Sequence, residues 1–147
     1  MLTGILINLF ERDLGKLEEE IAAYETAAGL WRLPAGIKNP AGNLCLHLCG
    51  NLQHFVGAVL GQTGYVRNRE LEFSARNVPA EELLVLIGTT RRVIVSVIAG
   101  LTEEDLEKTY PEKVLSGNMS TGHFLVHLST HLSYHLGQIN YHRRLTQ

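Results

Sequence analysis

Cysteine is scarce in this chain: two in 147 residues. Two cannot make a disulfide framework, so a reducing cytoplasm is the expected compartment. Basic clusters are missing too. Beyond the pairs Arg91-Arg92 and Arg143-Arg144 no Lys/Arg run occurs, and 13 basic against 15 acidic side chains leave a net charge of −2. Nucleic acid and anionic membrane surfaces both require a basic face, so neither partner is expected. No uninterrupted apolar run approaches the roughly 20 residues needed to span a bilayer. The N-terminus, MLTGILINLFERDLG, has no basic flank and no small-residue cleavage site, so it reads as the start of an amphipathic helix rather than a signal peptide. Internal repeats and low-complexity tracts are absent. One domain, residues 1–147, is the expectation at this length.

What the chain has is helical periodicity. Over roughly residues 2–25, Leu2, Ile5, Leu6, Leu9, Phe10, Leu14, Leu17 and Ile21 fall at steps of three and four, with Glu18, Glu19 and Glu20 between core positions. Three Gly and two Pro in AAGLWRLPAGIKNPAGN make a connector. A second helix is predicted from Asn43 to Leu60, on the stripe Leu44, Leu48, Leu52, Phe55 and Val59. Residues 61–77 form a charge-rich second connector with room for a short helical turn. A third helix runs from Pro79 to Ala99, opened by an early proline and by Glu81 and Glu82 in its first turn. Thr102-Glu-Glu-Asp105 reads as a capped turn and PEKVLSGNMS as loop. A fourth helix starts near Ser120 or Thr121, either of which offers a hydroxyl cap, and continues to about Leu145. Four amphipathic helices and no strand imply an all-α four-helix bundle, and the long connectors argue against tight up-down turns.

The last 25 residues contain five of the seven histidines. His123, His127, His131 and His135 recur every fourth residue and form a column on one helix face. At about 100° per residue, His127 and His135 lie about 40° to either side of His131, and Gln138 and His142 within roughly 20°. His123 drifts to about 80°, while the stripe of Leu128, Leu132, Leu136 and Ile139 centres at roughly 90°. His131 and His135 should therefore border the core, and His123 should turn toward solvent. On the second helix His47 and His54 are about 20° from alignment, with Asn51 near the same line. Cys45 and Cys49 flank His47 in a C-x-H-x-C string. On a helix those ligands diverge, so the cysteines read as small buried hydrophobes.

A metal needs ligands converging from more than one element. A pair four residues apart on the last helix supplies two, and His47 is the best third. Three histidines leave a position open, the pattern of catalytic rather than structural sites. The competing readings are a satisfied core histidine for His47 and a solvated ladder for the column. H-E-x-x-H is absent, because Leu, Ser and Tyr stand between His131 and His135, so no glutamate base is built in.

LCLHLCGNLQHF and HLSTHLSYHLGQINYHRRL resemble segments of the DinB/YfiT-like superfamily. The similarity runs over most of the chain, including the tryptophan-containing connector and RNRELEF, and is most specific in HLSYHLGQ. The resemblance implies a four-helix bundle, commonly a homodimer, holding a divalent metal (zinc or nickel) through His47, His131 and His135. The continuation of the ladder to His127 and His123 leaves open which adjacent pair binds, and Gly137-Gln138 favours His131 with His135. The resemblance further implies a metal-dependent enzyme acting on a small-molecule substrate, such as a low-molecular-weight-thiol S-transferase or a hydrolase. A non-enzymatic metal or small-ligand binding protein connected with stress is the alternative, and a metal-free helical interaction module a third. Asn51, His54, Tyr134 and Gln138 are candidates to line the site or orient its ligands. Arg67, Arg69 and Glu72 could reach over its mouth, although their composition favours a solvated loop. The fourth helix contains no Asp or Glu, so a general base would have to be His127, His54 or the thiol itself.

Overall fold

The computed structural model describes residues 1–147 and is all-helical. Four long helices form the frame: α1 (Leu2–Ala22), α3 (Ala41–Leu52, continued by a π-helical stretch Gln53–Ala58), α5 (Ala80–Ala99) and α7 (Thr121–Thr146). Three short ones join them: α2 (Ala27–Leu30), α4 (Arg69–Ser74) and α6 (Glu103–Glu107). Both α1 and α3 pack against α5 and α7, so α1 and α3 occupy one diagonal of the bundle and α5 and α7 the other. The heptad-like stripes meet in one core, in which Phe10, Leu14, Leu48, Leu52, Ile87, Ile94, Leu128 and Leu132 are buried.

The helix ends follow their capping chemistry. Ser120 Oγ accepts from the His123 amide and starts α7. Thr102 and Asp105 form a reciprocal capping box at α6, where a capped turn was expected. Pro79 precedes α5 as expected. The first helix ends at Ala22, three residues earlier than its periodicity suggests. Just past that end, Tyr24 places its hydroxyl 2.6 Å from His142 Nδ1 on α7. Thr26 then caps α2.

Two departures from the expected second helix and second connector set up the functional region. The helix does not run on as a regular α-helix to Leu60. From Gln53 it widens into π geometry, with the Val59 amide bonded to the His54 carbonyl and the Gly61 amide to the Val56 carbonyl, both five residues back. In the connector, Arg69–Ser74 form α4, which Asn68 caps through Oδ1 and the Leu71 amide. Asn43, fully buried on α3, holds the other end of α4 by donating to the carbonyls of Glu72 and Ala75, both at 2.9 Å. Between α6 and α7 the chain folds back on itself. Tyr110 donates its amide to the Met119 carbonyl and Gly117 its amide to Val114, with Leu115 and Gly117 at positive φ. The Tyr110 hydroxyl donates to the Phe55 carbonyl at 2.7 Å and ties this loop to the π stretch.

Candidate metal centre

His47 comes from α3, and His131 and His135 from α7, one turn apart. Their ligand-capable nitrogens all lie within 4.8 Å of one another, so the three are placed to hold a metal ion. The ring centroids are 5.1 Å apart for His47–His131, 5.3 Å for His47–His135 and 4.6 Å for His131–His135.

Hydrogen bonds select which nitrogen of His47 and of His135 faces inward. His47 Nδ1 donates to Glu72 Oε1 at 3.1 Å. His135 Nδ1 donates to Gln138 Oε1 at 2.7 Å. Each bond fixes the tautomer that leaves Nε2 as a bare lone pair. His47 Nε2 and His131 Nε2 are 3.2 Å apart. Two ligands at about 2.0–2.1 Å from a tetrahedral zinc are separated by roughly 3.3 Å, so this spacing suits a shared cation. His131 Nδ1 is buried and has no hydrogen-bond partner, so nothing on that side of the ring competes for the inward-facing Nε2. The fit to a divalent ion rests on the convergence of the three rings and on the spacing of the two Nε2 atoms.

Electrostatics keeps the two α7 histidines of the trio deprotonated. Burial lowers His131 to about 4, helped by the positive charge that His135, His47, His127 and Arg67 would place beside it. His135 is also lowered, by burial first and by His47, against the opposing hydrogen bond to Gln138. Both are neutral at pH 7, so a metal would not have to displace protons from them.

Glu72 was read in the sequence as part of a solvated loop; the structure overturns that reading. Glu72 is 6 % exposed, and α4 delivers it against His47. Arg67 grips the same carboxylate through Nε to Oε2 at 2.9 Å and Nη2 to Oε1 at 2.8 Å. Burial works to raise the Glu72 carboxyl, but the hydrogen bonds from Arg67 and His47 outweigh it and hold it below its ordinary range. Arg67 is correspondingly drawn in, with its guanidinium over the Phe55 ring. Arg69 is exposed, but it opens α4 and lines the cleft beside the trio rather than lying in a loop. One sequence signal, a glycine inside α3, marks a close approach at this point without naming Glu72 as the partner. Gly50, a helix-interior glycine one turn after His47, carries no side chain because a Cβ there would lie 2.0 Å from Glu72 Oε2.

The remaining ladder positions separate. His123 is exposed. His127 is half-buried and stacks between Phe124 and His131, at centroid distances of 6.0 and 6.5 Å, outside the converging trio. His142, aligned with His131 by helical phase, is a structural residue: Nε2 donates to the Arg32 carbonyl at 2.8 Å and Nδ1 accepts from Tyr24. Burial raises the Tyr24 hydroxyl, which stays a donor. Tyr134 is exposed and meets His135 edge to face. Cys45 and Cys49 are fully buried free thiols; the hydrogen bond to Cys49 and then burial hold the Cys45 thiol well above its ordinary value. They pack as apolar groups, as expected.

A cleft of about 540 Å³ opens beside the trio, lined by His47 and His131 and by Asn51, His54, Arg69 and Lys113 among others. His54, turned by the π stretch, places Nε2 3.2 Å from Glu112 Oε2 on the 108–120 loop. Sequence reasoning missed Glu112, because nothing in PEKVLSGNMS marks the fold-back that carries it over the cleft. A second cleft, about 780 Å³, flanks His135 on the other side, along Ile37, Tyr134 and Tyr141.

The sequence profile of the DinB superfamily matches residues 9–139. The chain belongs to the DinB superfamily. A comparison with curated proteins finds no match. The match covers both histidine-bearing helices of this DinB chain, so the resemblance read from LCLHLCGNLQHF and HLSYHLGQ stands. No helix in it is long and apolar enough to cross a membrane.

Proposed function

We propose that this DinB protein binds one divalent transition metal, zinc or nickel, through His47, His131 and His135, and uses it as an enzyme acting on a small molecule, with thiol S-transfer the favoured chemistry. The observation that carries the reading is the pair of outer hydrogen bonds, His47 to buried Glu72 and His135 to Gln138, which orient two lone pairs toward the His131 ring. A metal held by three neutral imidazoles supplies uncompensated positive charge, which lowers the pKa of a bound thiol or water. The protein's own part is positional. Glu72 and Arg67 fix His47, Gln138 fixes His135, and the hydrophobic core behind α3 and α7 keeps the three rings from spreading. His54 is the group we assign as proton acceptor. Its Nε2–H donates to Glu112, which leaves Nδ1 free for a proton from a thiol or water in the cleft. The reading includes a homodimer in a reducing cytoplasm, supported by the family resemblance and by two unpaired buried cysteines.

Untagged protein loaded with zinc or nickel and assayed with a panel of thiols and electrophilic acceptors tests the proposal. One equivalent of metal and metal-dependent turnover are expected. His54→Ala should lower turnover by about 10²–10⁴ with metal content unchanged. Less than a tenth of an equivalent taken up on titration rejects the metal site. Full loading without turnover for any thiol pair rejects the enzyme in favour of a metal-binding protein.

A further inference from the structure

The cleft beside His47 and His131 differs in charge from the molecule as a whole. The chain carries a net charge of −2. Among the residues lining the cleft, Arg67, Arg69 and Lys113 are cationic and Glu112 is the sole acid. Arg67 is neutralised by Glu72 from behind, and Glu112 is engaged with His54. Arg69 and Lys113 are left. Neither forms an ion pair with any acid of the protein, and neither donates a side-chain hydrogen bond to it. The Arg69 guanidinium rests on the Phe73 ring, 5.2 Å from its centroid, which steadies it without consuming its donors. These two charges come from separate elements. Arg69 opens α4, the helix that also delivers Glu72, and Lys113 sits on the folded-back loop next to Glu112. They meet at one cleft with two of the three histidines of the metal centre, and the cleft, about 540 Å³, has the size of a small-molecule site.

We infer that this cleft selects small carboxylate-bearing anions, with Arg69 and Lys113 binding the carboxylates while the rest of the molecule lies against His47 and His131. The inference names the substrate class for the site proposed above and rests on that reading for the metal. The charge preference itself belongs to Arg69 and Lys113 and holds without metal. A neutral or cationic molecule of the same size would leave both cations unpaired and is disfavoured. The attraction is partly exposed, so it weakens as salt rises.

Four probes of similar size separate the possibilities: succinate, mercaptosuccinate, thioglycerol and cysteamine, titrated calorimetrically and by amide NMR into zinc-loaded and unloaded protein. We expect mercaptosuccinate to bind loaded protein at least tenfold more tightly than thioglycerol, with cysteamine weakest. Succinate should bind unloaded protein and shift the amides of residues 67–69 and 112–115. The double variant Arg69→Gln/Lys113→Gln should lose at least fivefold of the preference for the anion. Lys16→Gln, an exposed cation on α1, should lose none. Equal affinities for succinate and thioglycerol overturn the inference, and so does a preference that survives the double variant or disappears equally in Lys16→Gln. Inorganic phosphate binding tenfold more tightly than succinate overturns the carboxylate assignment. Failure to take up zinc rejects the metal reading, and the succinate arm on unloaded protein then decides the charge preference alone.

Discussion

Glu72 carries more of this site than any residue outside the histidine trio. It is buried, accepts from His47 Nδ1, and is held by a bidentate Arg67. Gln138 makes the corresponding bond to His135 from an exposed position, where water can replace it. The two should differ in effect. Removing an outer partner of a histidine ligand costs about 10–100-fold in metal affinity. Glu72→Gln, which strands the Arg67 charge, is expected at the upper end of that range, and Gln138→Ala at the lower end. Competition with a chelating dye measures both, and equal losses would refute the ordering. Gly50→Ala extends the series to a residue that touches no ligand. Alanine would favour the helix by about 1 kcal/mol. A Cβ 2.0 Å from a buried carboxylate oxygen forces Glu72 away, and breaking a buried ion pair costs about 3–5 kcal/mol. The clash wins, so Gly50→Ala should lose metal affinity and stability together. His131 and His135 could be read from helical phase because their spacing is local, and His47, 84 residues from His131, could be read only as the best third ligand and through the resemblance. Glu72 could not, since its 25-residue separation from His47 is closed only when α4 folds against α3.

Elements show the same division. The four long helices were legible because each carries its own apolar stripe, and the caps at Ser120 and Thr102 because capping is a matter of a few neighbouring residues. The π stretch was not, since an apolar stripe does not say whether the chain closes four or five residues back. Nor was the fold-back at 108–120, whose anchors are a loop tyrosine and a π-helical carbonyl. The join between α1 and the end of α7 offers a pH test. Glu20 accepts from Arg143 Nε at 2.6 Å and from Asn140 Nδ2 at 2.6 Å. Burial tends to raise its carboxyl, but the bonds from Arg143 and Asn140 outweigh burial and leave it below 4.5. A carboxyl lowered by folding stabilises the protein above its unfolded value, and that contribution disappears as pH falls through the folded one. Glu20→Gln should therefore be less stable than the parent by about 0.5–1 kcal/mol at pH 7. The gap should close on acidification below 4.5. Urea unfolding at a series of pH values reads the difference directly, and a gap that stays constant with pH would show that the charge on Glu20 contributes nothing.

At the scale of the whole molecule, the proposed metal would connect two helices 84 residues apart in sequence, α3 through His47 and α7 through His131 and His135. Such a ligand set exists only in the folded chain. The unfolded chain retains at most the local pair His131 and His135, and then only in transient helical turns. Binding to the native state alone stabilises by RT ln(1 + [L]/Kd), about 2.7 kcal/mol at a free metal concentration 100 times Kd. For a chain of this size each kcal/mol raises the melting temperature by roughly 2–4 °C, so zinc at that excess should raise it by roughly 5–10 °C. EDTA should reverse the shift. His47→Ala removes the α3 ligand and leaves the α7 pair intact, which makes it the discriminating variant. If the metal joins the two helices, the variant loses nearly all of the shift at the same metal concentration. If the shift survives in His47→Ala, the metal sits on the α7 ladder alone, with His127 the next candidate along the column, and the bridging site is wrong.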